Sequence, residues 1–144
     1  MVVLLWYHLL RMTTIFSKII AREIPAHVVY EDDVCIVIMD IFPSVPGQVL
    51  VVPKVEIDYV FDVPDDVYQH LLHISKRIGK ALDTVFATER TCIVVEGFEV
   101  PHVHIKLYPT PKGSTSLTSL LQHTSEVDND ELKKQSEAIK AALT

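Results

Sequence analysis

His102-Val103-His104-Ile105-Lys106-Leu107-Tyr108-Pro109 is the stretch on which the reading of this chain turns. Apolar and polar side chains alternate along it, and in a β-strand alternate side chains share a face. A strand over His102 to Tyr108 sets Val103, Ile105 and Leu107 on one face, to pack on a core. His102, His104 and Lys106 line the other, roughly 7 Å apart in succession. Three uses fit such a row. It can be a half-exposed polar face. It can be a metal site, since His-x-His offers two ligands to zinc, although the Lys106 ammonium would repel a cation. It can serve phosphoryl or nucleotidyl chemistry, with a histidine as nucleophile or base and the lysine as a fixed positive charge. Pro101 lacks a backbone donor, so the chain enters the strand from a bend.

Working outward, the segments on either side alternate between strand and helix patterns. Thr91 to Glu96 is a β-rich run that reaches the His strip through Gly97. Before it, Val67, Leu71, Ile74, Ile78, Leu82 and Val85 recur at helical spacing and predict a long helix from Pro64 to about Ala87. Pro64 and two aspartates in the first turn suit its start. Gln48 to Val52 reads as a strand closed by Pro53, and Ile41 to Gly47 as a loop set by two prolines and a glycine. His27 to Tyr30 and Val34 to Met39 form a hairpin around Glu31-Asp32-Asp33. Residues 14 to 23 carry Ile15, Ile19 and Ile20 at helical spacing and stop near Pro25. After the strip, residues 110 to 126 are Ser/Thr-rich loop, and Asp128 to Leu143 is a polar helix with Leu132, Ile139 and Leu143 to bury. The expected architecture is α+β, with a mostly antiparallel five-stranded sheet, a long helix and a C-terminal helix. On the long helix, His70 and His73 stand at i, i+3 and could share a metal. With no third ligand evident in the sequence, they read as a solvated face.

The 144 residues suit one domain with a buried core, and the hydrophobic fraction of 49% belongs to a globular chain. A net charge of −6, from 19 acidic and 13 basic residues without a basic block, argues against a nucleic-acid partner. Cys35 and Cys92 each lie in an apolar β-branched run and read as buried thiols of a reducing, cytoplasmic setting. Residues 1–11 are set apart as an apolar extension, from Met1 to Arg11, ahead of a single domain over 12–144. The extension is too short to span a bilayer, which takes about 20 apolar residues. It lacks the charged lead and cleavage site of a signal peptide. A translated stretch upstream of the start at Met12, an interfacial anchor and a packing arm all remain open for it.

Four blocks, in order and over about residues 14 to 109, resemble the histidine triad (HIT) family. They are Ile15-Phe16-Ser17-Lys18-Ile19-Ile20 with Glu23-Ile24-Pro25; Tyr30-Glu31-Asp32-Asp33 with Met39-Asp40-Ile41-Phe42-Pro43; Pro46-Gly47-Gln48-Val49-Leu50-Val51-Val52-Pro53-Lys54; and Gly97-Phe98-Glu99-Val100-Pro101-His102-Val103-His104. The family's pattern is His-x-His-x-His followed by two apolar residues, and its members hydrolyse or transfer nucleoside monophosphate groups. The resemblance implies that His104 is the nucleophile toward the α-phosphate of a purine nucleotide, a nucleoside phosphoramidate or a dinucleoside polyphosphate. It implies that His102 is the flanking triad histidine, that Asp40 binds the ribose hydroxyls, and that Phe16, Ile19 and Ile41 form the base pocket. Gln48 stands where many members have another histidine, and so joins the nucleotide-binding set. Lys106 takes the third histidine's place among the catalytic residues. Phe98 stands where the family often has glutamine, and Glu99 replaces a small hydroxyl residue that often contacts phosphate. Thr14 and Ser17 occupy the places of the Cys-x-x-Cys of zinc-binding members, so no metal and no cofactor is expected. A homodimer, through the long helix and the strand from Thr91, is implied as well. The substitutions leave a second reading beside the hydrolase: a nucleotide-binding or protein-interaction module with weakened catalysis.

Overall fold

In a computed structural model of the chain, residues 14–121 and 124–144 are described, and the readings of residues 1–11 therefore lie outside the described part. Among the described residues, no helix is long and apolar enough to cross a membrane. A short helix α1 (Ile15–Ile20) leads into strands β1 (Val28–Glu31), β2 (Cys35–Met39) and β3 (Val49–Pro53). A single 3-10 turn, Val60–Asp62, precedes the long helix α2 (Asp65–Phe86). Strands β4 (Arg90–Val94) and β5 (Ile105–Thr110) and the helix α3 (Asn129–Leu143) complete the chain. The sheet order is β1-β2-β3-β5-β4 and every pairing is antiparallel, so the α+β architecture expected from the sequence is the one found.

The helix ends follow from local chemistry. Thr14 caps α1, its hydroxyl accepting from the Ser17 N–H, and the Asp128 carboxylate accepts from Asp130 and Glu131 at the start of α3. Helix α2 has Pro64 at its N-cap with Asp65 and Asp66 in the first turn. It ends on Ala87 in the left-handed region, at φ 48°.

Two apolar layers hold the sheet. On one face, Val37, Val49, Val51, Ile105 and Leu107 pack against Leu71, Ile74, Ile78 and Leu82 of α2 and Leu132 and Ile139 of α3. On the other, Ile36, Ile38, Leu50 and Val52 pack against Phe16 and Ile19 of α1. Val67 and Phe86 also pack on the first core while Val85 does not, because the stripe rotates toward Phe86 at the last turn.

The His strip is where the expected strand boundary fails. Strand β5 begins at Ile105, and His102 to His104 run just ahead of it. The Val103 N–H donates to the Ile57 carbonyl and the His102 N–H to the Val100 carbonyl, so this stretch is tied to loops and not to the β3 ladder. The face assignment nevertheless holds: Val103, Ile105 and Leu107 enter the core under α2. Lys106 pairs in register with Leu50 on the α1 side.

Candidate functional site

The centre of the site is a pair of buried imidazoles, His102 at 0% and His104 at 5% exposure. Nδ1 of His104 lies 2.8 Å from the His102 carbonyl oxygen. A carbonyl only accepts, so Nδ1 carries the proton and Nε2 of a neutral ring carries the lone pair. The nitrogen that keeps the lone pair is thus selected by a backbone atom two residues away. Phe16 packs against both rings, edge-on to His102 at 5.8 Å and tilted on His104 at 5.0 Å between centroids. Helix α1, which carries Phe16, therefore closes one wall of the site.

His102 is locked by a similar proton inventory. Its Nε2 lies 2.8 Å from the Pro53 carbonyl and must donate to it. Burial pushes its pKa down, aided by His104, against the opposing pull of the Pro53 carbonyl and the Glu56 charge. In the neutral ring Nδ1 is an acceptor, and it receives the Thr14 hydroxyl at 2.9 Å. The Ser17 hydroxyl approaches the same Thr14 oxygen at 3.1 Å and donates onward to the Glu56 carboxylate. Thr14 and Ser17, at the places where the resemblance would put metal-binding cysteines, thus each commit their one proton, Thr14 to His102 and Ser17 to Glu56.

Lys106, read from the sequence as a fixed charge, has a carboxylate partner. Its ammonium is 2.9 Å from a Glu96 carboxylate oxygen. Burial works against the charged form, but the Glu96 bond and the Tyr108, Glu96 and Glu99 charges outweigh it and raise the pKa. The Glu99 charge acts on both Lys106 and the buried Tyr108. Phe98 is 93% exposed.

Asp40 follows β2 directly. One carboxylate oxygen accepts from the Phe42 N–H at 2.9 Å and the other from the Gln48 amide at 2.8 Å. Gln48, expected at the nucleotide, is 3% exposed. Both ends of its amide are engaged, since its oxygen accepts from the Ser44 N–H at 2.7 Å. Its geometry makes it the residue that braces Asp40 and closes the 40–48 loop. Phe16 and Ile19 are brought together, with Ile36, Ile38, Leu50 and Val52 beneath them. Ile41 is not in that cluster: it is 45% exposed and borders a cavity of about 620 Å³ with Ala26, His27, Val127 and Leu132.

Sequence reasoning missed the Thr14–Ser17–Glu56 chain and the Glu96 partner of Lys106. Thr14-x-x-Ser17 is visible as a helix-start pair. Nothing in the sequence ties Glu56 to either.

The sequence matches the HIT domain family over residues 21–113. It is 38% identical over 99 residues to an uncharacterized HIT-like protein of Synechococcus elongatus, covering 65% of this chain and 87% of the relative. It is 35% identical over 128 residues to an uncharacterized HIT-like protein of Methanocaldococcus jannaschii, covering 84% and 96%. Among solved structures it superposes on a HIT-like protein of Bartonella henselae described as involved in cell-cycle regulation. That match has a TM-score of 0.81 at 27% identity, over 91% of this chain and 96% of the other.

Proposed function

The chain belongs to the HIT domain family, and on that footing we propose that it is a nucleotide hydrolase working through His104. The observation that carries this reading is the Nδ1–H bond from His104 to the His102 carbonyl, which leaves Nε2 as the attacking atom. Its substrate is a purine nucleoside phosphoramidate, a dinucleoside polyphosphate or a related nucleotide. Nε2 forms a bond to the α-phosphorus as the bond to the leaving amine or phosphate breaks. Water then cleaves the nucleotidyl–histidine, releasing the nucleoside monophosphate and restoring the ring.

Phe16 and Ile19 supply an apolar wall for the base, and the pre-set Asp40 carboxylate receives the ribose hydroxyls. His102 acts through its carbonyl on the His104 tautomer. Lys106, standing in the third triad place, supplies charge to the phosphate oxygens and not a proton, because its carboxylate neighbours hold the ammonium charged. The leaving-group proton then comes from water. A second copy of the chain along β4 is part of the proposal: β4 is a sheet edge with Ile93 half exposed, and an open apolar edge favours strand pairing.

Rapid-quench mass spectrometry with an adenosine phosphoramidate tests the reading. A nucleotidyl adduct on His104, absent in His104→Ala, is expected. No adduct, with turnover unchanged in His104→Ala, removes it. The Lys106–Glu96 pair favours one second reading, a nucleotide-binding module with little catalysis. Calorimetry with a purine monophosphate beside a turnover assay separates the two, since binding without turnover supports the module alone.

A further inference from the structure

On the sheet face away from the histidines, three donors of different kinds converge. Asp32 lies in the β1–β2 turn, Cys35 opens β2, and His70 reaches down from α2. One ligand atom from each falls within 4.8 Å of the others. The carboxylate is fixed before any ligand arrives: Oδ1 accepts from the Val34 and Cys35 N–H groups, both at 2.8 Å. Oδ2 accepts from the Tyr30 hydroxyl at 2.8 Å and from His70 Nε2 at 2.7 Å. The Cys35 sulfur lies within 4.8 Å of the same carboxylate. A single anion therefore gathers a thiol, an imidazole and a phenol.

We propose that Asp32, Cys35 and His70 form a binding site for a zinc-like divalent transition ion. The donor set is one thiolate, one imidazole nitrogen and one carboxylate oxygen, a combination suited to such ions. Donors at about 2.0–2.3 Å from a tetrahedral ion stand about 3.3–3.8 Å from one another, a small adjustment of the spacing already present. The ion enters between Asp32 and His70, whose side chains keep 23% and 33% of their exposure. It replaces the His70 bond on Oδ2, while Tyr30 keeps the other lone pair of that oxygen.

Binding breaks the Cys35 S–H bond, forms a sulfur–metal bond and releases one proton to solvent. His70 shifts its ring proton from Nε2 to Nδ1. Water fills the fourth position. The nearby cations do not compete for the carboxylate, since Lys54 pairs with Glu31 at 3.1 Å and Arg77 lies over the Tyr30 ring at 5.3 Å. The sequence offered His70 with His73 and no third ligand; His73 is exposed, and the fold supplies Asp32 and Cys35 instead.

Cobalt(II) titration of the reduced full chain tests the site, because cobalt bound to thiolate gives a near-ultraviolet charge-transfer band and cobalt in a four-coordinate site strong visible bands. One equivalent is expected to develop both sets, and zinc(II) to abolish them. Cys35→Ser should lose the near-ultraviolet band, and His70→Asn should lose or greatly weaken both. Cys92→Ser and His104→Asn should keep them, which separates this site from the other thiol and from the histidine pair. His70 is partly exposed, so its variant remains informative should the buried Cys35→Ser protein fail to fold. Absence of the near-ultraviolet band, its persistence at full strength in Cys35→Ser or His70→Asn, or its loss in Cys92→Ser or His104→Asn overturns the proposal.

Discussion

Replacing Thr14 with valine removes one oxygen atom from the wall of the site and leaves the side-chain shape. Two hydrogen bonds disappear with it, the one to His102 Nδ1 at 2.9 Å and the one from the Ser17 N–H at 3.1 Å, along with the 3.1 Å contact to the Ser17 hydroxyl. Leaving a buried ring nitrogen without a partner costs about 1–3 kcal/mol, and losing an N-cap side chain costs about 1 kcal/mol. A domain of this size has about 5–15 kcal/mol to lose. The variant should therefore fold, with a melting temperature lower by roughly 5–15 °C. The functional effect is larger. Without Thr14, neutral His102 has no reason to keep its proton on Nε2 and its ring against Pro53, and the carbonyl that sets the His104 tautomer loses its anchor. Misplacing a reacting atom by about 1 Å costs on the order of 100-fold in rate. The expected fall in kcat is about 10–100-fold, with KM for the nucleotide within a factor of about three, because neither Asp40 nor the base wall has moved. Thr14→Ser keeps the hydroxyl and should restore most of kcat. Thermal melts and steady-state kinetics on the two variants give the answer. Equal kcat in wild type and Thr14→Val refutes the reasoning. An equal loss in Thr14→Ser shows that the methyl group, and not the hydroxyl, was responsible.

Other outcomes follow from the same coordinates. Gly47 sits at φ +81°, and a Cβ there would come within 2.4–2.8 Å of the Phe86 ring; Gly47→Ala should lower the melting temperature by at least about 5 °C. Acidification should destabilise in two stages, followed by the melting temperature against pH. His102, depressed by burial and faced by Glu56 and His104, takes up its proton only on unfolding, so stability falls as pH drops below about 6.5. His102→Gln should flatten that first stage. Asp32 is also held well below the usual carboxylate range: burial opposes this, but the Cys35 and Val34 N–H groups, His70 and Tyr30 outweigh it. Its contribution is present above the unfolded value, near pH 4, and is lost as pH falls toward the folded value. Lys106→His should raise kcat if the Lys106–Glu96 pair limits the site, and an unchanged rate rules that out. Ile93→Lys on the β4 edge should shift a dimer to monomer by light scattering without altering the far-ultraviolet spectrum, and a monomeric wild type contradicts the dimer.

The sequence made the sheet, the long helix and the two-sided character of the His strip legible because each is written in local periodicity. Val103, Ile105 and Leu107 alternate, and α2 repeats its apolar residues at helical spacing; both patterns reappear as the core beneath α2. What periodicity does not carry is where a strand stops being a strand. His102 and Val103 have strand-like neighbours, yet their N–H groups go to Val100 and Ile57, a choice made by a loop about 45 residues upstream. The same limit governs the side chains. The resemblance marks Gln48 by its place alone, and what the sequence does not show is that the 40–48 loop folds back on its amide and makes it a brace for Asp40. Lys106 reads from sequence as a fixed charge, and its partner Glu96, ten residues away, is brought to it only by the antiparallel pairing of β4 and β5. Glu56 and His102 are further apart still, yet the Glu56 charge acts on the ring, and the Thr14 and Ser17 hydroxyls each bond to one of the two. Each of these pairings joins residues from different elements, and together they decide protonation at the site. The chemistry proposed for His104 therefore depends less on the His-x-His motif than on the acceptors that tell each imidazole which nitrogen to protonate.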